Sequence, residues 1–184
     1  MRRAAVAVVL AAVMAVSGVA AAEHTDQVDP NDVTGLLDIE EVRFRHDDGP
    51  YTWVFRTFAR WTTKKIWDKG FFVVQLDTIG SAEADFLALL RSTGKEMHGE
   101  LFRLRRDGSQ RHLRSLAGWR AGAKGAGIAV PARFLEFGAH RTSFFWWTLS
   151  LYRSPRCRTT CIDAVPDEGT VEQVLVEEPD PPDE

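Results

Sequence analysis

The chain has 184 residues, 27% of them charged, a net charge of −3 and two cysteines. Roughly 160 residues remain beyond an N-terminal leader, which suits one domain with a core of its own and excludes a string of several. The small net charge conceals a partition: residues 23–41 hold seven acids and no Lys or Arg, 42–162 hold 21 basic and 10 acidic residues, and 163–184 hold nine acids and no Lys or Arg. A basic body between acidic ends is one pattern of anionic-polymer binding. The plainer account is a set of solvated strand faces, with the acidic ends folded back on them.

At the start, Arg2 and Arg3 precede an apolar run from Ala4 to Val16, and Ser17-Gly18 and Ala20-Ala21-Ala22 follow. This layout reads as a signal peptide over residues 1–22, cleaved before Glu23. An uncleaved anchor is the alternative, because Ala4 to Ala22 is nearly long enough to span a bilayer. The mature chain is therefore expected to be secreted or associated with a bacterial cell envelope, without a membrane span after cleavage. Nucleic acid is not an expected partner of an exported chain.

Eight stretches rich in β-branched and aromatic residues then recur, at 36–46, 51–60, 71–77, 84–92, 96–106, 111–118, 127–137 and 143–152. Between them lie HDDGP, TIGSAE, STGK and RDGSQ, whose Asp and Gly supply tight hairpin conformations. The expected fold is all-β: an antiparallel two-sheet β-sandwich, jelly-roll or Ig-like, of about eight strands over residues 23–169.

In the first strand Leu37 and Ile39 share one parity and Val42 and Phe44 the other, so an extra residue must enter near Glu40-Glu41. Such a bulge would carry the strand from one sheet to the other. WTTKKIWDKG (61–70) breaks the alternation and predicts a short helical segment near 61–69, capped by Thr62 or Thr63 and ended by Gly70. GWRAGAKGAGI (118–128) reads as a flexible glycine-rich connection, and Pro131 marks its strand as bulged or at an edge. Residues 170–184, acidic with three prolines after Glu178, read as a disordered tail, with a short strand at 171–176 as the alternative.

Cys157 and Cys161 are spaced C-x-x-x-C. Export favours a disulfide between them. A redox pair wants two intervening residues at a helix start, and zinc wants more thiolate or imidazole ligands than the scattered histidines offer. Bridged Cα atoms lie about 4.4–6.8 Å apart, so the segment must curl into a turn.

Asp26, Asp29, Asn31, Asp32 and Asp38 concentrate oxygen donors before the first strand, and Asp163 and Asp167 follow the cysteines. Calcium takes six to eight oxygens, and the expected ligands are Asp29, Asp32, Asp38 and Asp163, with Asp85 a lesser choice. Turn-forming or solvated acids are the alternative.

In SFFWWTLSLY, Phe145, Trp147, Leu149 and Leu151 are assigned to the core. Phe144, Trp146 and Tyr152 fall on the opposite face, and Tyr51, Trp53 and Phe55 share one face of their own strand. Exposed rings on a sheet stack on sugars, which makes Trp53, Trp146 and Tyr152 the candidate ligand-binding residues; rings covered by loops are the alternative. No nucleophile elbow, zinc-protease motif or phosphate loop is present. A hydrolase built on Asp85, Glu100 or Glu136 is a minor reading, and no catalytic residue is assigned.

The acidic start before LLDI (36–39), the strand FFVVQLDT (71–78) with ADFLALL (84–90) after it, and the tryptophan strand leading into CRTTCIDAVPDEG (157–169) resemble uncharacterised exported β-sandwich proteins of high-GC bacteria. The scheme is similar to the DOMON-like and carbohydrate-binding jelly-roll modules attached to secreted glycoside hydrolases. Over residues 26–169 that resemblance implies a jelly-roll-like sandwich, a bound calcium and a sugar-directed role, although no hydrolase domain accompanies it here.

The expected function is that of a monomeric, non-catalytic binding module whose ligand is an extracellular glycan or polymer. A structural or adhesion protein of the envelope, with a protein partner, is the alternative.

Overall fold

The computed structural model describes residues 24–46, 49–137, 142–157 and 159–175. The signal-peptide reading of residues 1–22 and most of the acidic tail lie outside them.

Eleven strands form among the described residues: β1 (His24–Val28), β2 (Ile39–Arg45), β3 (Tyr51–Thr57), β4 (Gly70–Asp77), β5 (Phe86–Ser92), β6 (Met97–Leu104), β7 (Gln110–Ala121), β8 (Gly125–Val130), β9 (Ser143–Tyr152), β10 (Cys161–Val165) and β11 (Val171–Val174). They do not make a two-sheet sandwich of eight strands. All belong to a single antiparallel sheet in the order β1-β2-β3-β8-β7-β6-β5-β4-β9-β10, with β11 also paired to β9, and the sheet curls into a nearly closed barrel. The reason is continuity: from β2 round to β9 each strand is laddered on both edges, so the sheet has nowhere to split. The expected bulge exists, with the register shifting between Ile39 and Glu41, but it bends β2 within the one sheet.

The barrel is small enough to be filled by side chains. Phe44 lies at the centre of an aromatic cluster, with its ring centroid 5.2 Å from Trp53 and 6.1 Å from Trp146, while Phe55 stacks on Phe72 at 4.7 Å. Phe72, Val74 and Leu76 of β4 and Ile128 and Val130 of β8 complete the interior.

On β9 the sequence-based assignment of faces is reversed. Phe144, Trp146, Thr148 and Ser150 point inward and are buried, whereas Phe145, Trp147, Leu149 and Leu151 form the half-buried outer row. Two inward hydroxyls disguised this pattern, and both are satisfied by backbone carbonyls: Thr148 Oγ1 donates to Val165 and Ser150 Oγ to Leu37.

Four further segments differ from expectation. GWRAGAKGAGI is a hairpin, not a loose connection: Ala117–Ala121 of β7 pair with β8, and Trp119 lies across Gly127, where a Cβ would meet the indole at 2.3 Å. β8 is flanked by β3 and β7 and stops at Val130, because Pro131 leads into a 3₁₀ turn (Ala132–Phe134). β1 and β10 belong to no predicted strand. Thr62 caps one helical turn, α1 (Thr63–Ile66), by accepting the Lys65 N–H at 3.3 Å.

The barrel seam lies between β1/β2 and β10/β11, and side chains stitch it. Asp163 on β10 accepts the Ile39 N–H of β2 at 2.6 Å, and Thr25 on β1 donates to Gln173 on β11 at 3.1 Å.

Candidate metal centre

The loop from Asp29 to Asp38 runs along this seam. Its ends are fixed by backbone bonds, Asp29 N–H to the Glu40 carbonyl at 3.2 Å and Phe58 N–H to the Asp38 carbonyl at 3.0 Å. Its middle rests on the cysteine bridge. The Cys157–Cys161 disulfide, with Cα atoms 5.4 Å apart, sets the Cys161 sulfur 2.7 Å from the Thr34 carbonyl oxygen. Beyond the bridge Cys161 opens β10, whose alternation turns Asp163 inward while Ile162 faces solvent.

These constraints bring Asp29, Asp32, Asp38 and Asp163 together, with one carboxylate oxygen from each within 4.8 Å of all the others. They are the four residues that the sequence reading selects. Asp29, Asp38 and Asp163 are only 4%, 4% and 3% exposed, while Asp32 reaches solvent. Asp163 is held by the Ile39 N–H. Asp29 Oδ2 and Asp38 Oδ1 are buried with no hydrogen-bond partner, and no ion pair among the described residues includes any of the four.

Such a group is unfavourable as four bare anions, since buried charge needs a partner. Burial, with the surrounding aspartates, pushes Asp29 up to about 7. Burial first and then neighbouring carboxylates raise Asp38 and Asp163 to about 6.

The donor set fits a hard divalent cation. All donors are oxygens, which suit calcium or magnesium and not zinc. Opposite oxygens about one calcium are roughly 4.6–5.2 Å apart, twice the Ca–O distance, whereas magnesium requires about 4.0–4.2 Å. Four oxygens that lie within 4.8 Å of one another fit inside a calcium coordination sphere. Two of the four aspartates each carry a buried oxygen without a hydrogen-bond partner, which a cation would satisfy.

The lesser choice, Asp85, lies elsewhere: it accepts from Thr78 N–H at 3.1 Å and Thr78 Oγ1 at 2.7 Å, and burial raises its pKa. Glu100 pairs with Arg91 and Glu136 with Arg103, so the three acids of the hydrolase reading each have separate partners. Trp53 and Trp146 are both 0% exposed inside the barrel, 6.3 Å apart, and present no face to solvent for stacking. Their burial follows from the β9 reversal and from Trp53 facing Ile128 across the β3–β8 ladder. Tyr152 is half-buried beside the disulfide, packed near Gly35 and Gly70.

Sequence reasoning missed the Ile39 N–H that orients Asp163, and the C-I-D-A-V alternation was the available signal. It also missed Asp77, whose carboxylate accepts the N–H groups of Gly80, Ser81 and Ala82 and shapes the 78–85 turn.

Comparison with family models, with curated proteins and with solved structures returned no match.

Proposed function

We propose that this protein is an exported, non-catalytic binding module in which Asp29, Asp32, Asp38 and Asp163 hold a calcium ion that clasps the barrel seam. The observation that carries this reading is the meeting of four carboxylates, three of them buried, two of which each hold a buried oxygen that no protein donor satisfies. The cation supplies charge neutralisation and a cross-link. Asp29 and Asp38 bracket the loop before β2, Asp163 projects from β10, and one ion joins both sides of a seam that side chains otherwise close. In an exported setting the ligand count and partial exposure through Asp32 suit an extracellular calcium module, with affinity in the range of about 10⁻⁴–10⁻³ M.

Calorimetric titration with calcium tests this directly. One binding event is expected for the wild type and none for the double variant Asp29→Asn/Asp38→Asn. A wild type that takes up no calcium, or a double variant that binds it equally well, would sink the reading.

A further inference from the structure

A second concentration of like charge sits on a different wall. β7 runs past β8, which pairs only with Ala117–Ala121, so Gln110–Leu116 extend beyond that neighbour while their partner stretch of β6 stays laddered to β5. Arg103 stands directly opposite Arg111 across that hairpin. Arg105 and Arg106 lead into its turn, and Arg114 and Arg133 both place their guanidinium groups over the Phe134 ring, at 3.3 and 4.6 Å.

Arg103 is paired with Glu136 at 2.7 Å. The other five are exposed, and no ion pair among the described residues includes them. The acid of the turn, Asp107, is held by the Ser109 N–H at 2.8 Å. Like charges directly opposite across a ladder are unfavourable; Phe134 engages Arg114 and Arg133, which leaves Arg105, Arg106 and Arg111 as exposed guanidinium groups in no ion pair among the described residues. Guanidinium forks match carboxylate and phosphate groups in bidentate geometry, and sulfate offers the same paired oxygens.

The rings of the lip narrow the choice of polyanion. Single-stranded nucleic acid binds by stacking bases on free aromatic faces. Here Phe134 is engaged by two arginines, and Phe102 packs against His112 with centroids 5.3 Å apart. We propose that this arginine lip is a docking surface for an acidic polysaccharide, recognised through its carboxylate or sulfate groups. This inference is independent of the calcium centre.

The full chain is tested in a chelating buffer on immobilised polygalacturonate, heparin and neutral dextran. Retention on the two acidic polymers, none on dextran and elution by rising salt are expected. Arg105→Glu/Arg111→Glu should weaken binding at least tenfold, whereas Lys64→Glu/Lys65→Glu on α1, with the same change in net charge, should bind like the wild type. Arg105→Gln/Arg111→Gln, with an unchanged melting curve, serves if the charge-reversed variant does not fold. Four results overturn the proposal: no retention of the wild type, equal loss in both double variants, tighter binding to single-stranded DNA at the same salt, or retention that appears only after deletion of residues 176–184, which would make the acidic tail the occupant.

Discussion

The aspartate cluster at the seam and the arginine lip on β6–β7 both crowd like charges, yet they differ in what water can do for them. Asp29, Asp38 and Asp163 are buried, so their repulsion is barely screened and must be relieved by protons or a cation. Arg105, Arg106, Arg111, Arg114 and Arg133 are exposed, and solvent with salt carries most of their charge. The first arrangement is therefore coupled to folding, and the second only to what docks on it.

The largest effect should come from pH in the metal-free protein. The folded-state pKa values of Asp29, Asp38 and Asp163 lie above those of the unfolded chain. Their stability contribution is thus complete below pH ~4 and lost as pH rises through about 6 to 7. At roughly 1.4 kcal/mol per unit, the rise of Asp29 to about 7 corresponds to at most ~4 kcal/mol. Urea denaturation in chelator should show higher stability at pH 5 than at pH 8. The reverse trend would mean that the cluster opens when it ionises.

Calcium should cancel that slope. At a hundredfold excess over Kd, a ligand confined to the folded state adds about 2.7 kcal/mol, or a Tm rise of roughly 5–10 °C for a domain of this size. Asp29→Asn keeps the side-chain shape and removes one of the repelling charges. It should raise the Tm in chelator while abolishing the rise with calcium. A variant less stable than wild type in chelator would show that the carboxylates are not strained by one another.

Next in size is the disulfide. Closing so short a loop contributes about 2 kcal/mol by chain entropy, and its Cys161 sulfur lies against Thr34 in the middle of the aspartate loop. Cys157→Ser/Cys161→Ser should lose about that much stability and also weaken calcium binding. Lost stability with unchanged calcium affinity would separate the bridge from the site.

The contrast between the two regions also shows what the sequence made legible. The aspartates were readable because short sequence separation did most of the work: three of them lie in ten residues, and the fourth follows a cysteine bridge that forces a turn. The way the sheet closes was not readable, because it depends on pairings between distant strands. β4 beside β9, and β3 beside β8, are set by complementarity across the barrel rather than by any local signal. The faces of β9 were misread because alternation weighs side chains by polarity alone. Thr148 and Ser150 look like solvent-facing residues until Val165 and Leu37 offer buried carbonyls to their hydroxyls. Trp146 followed that error into a stacking role, and Trp53 was given one from the face it shares with Tyr51 and Phe55, although the barrel needs both rings as filling. The arginine lip was visible only as an excess of charge in the body of the chain. Its concentration at one mouth depends on β7 running on past the end of β8.

The smallest effect separates the two regions most cleanly. Arg111 faces Arg103 across the ladder and is exposed, with its side chain in no ion pair among the described residues. Arg111→Ala removes one of two opposed charges at the cost of some apolar contact from the side-chain stem. The balance should lie between neutral and a gain of a few tenths of a kcal/mol, shrinking as salt is added. Denaturation at low and high salt measures it. A loss above ~1 kcal/mol would place Arg111 among the residues that hold the hairpin, and the lip would then be part of the fold in the way that the seam is.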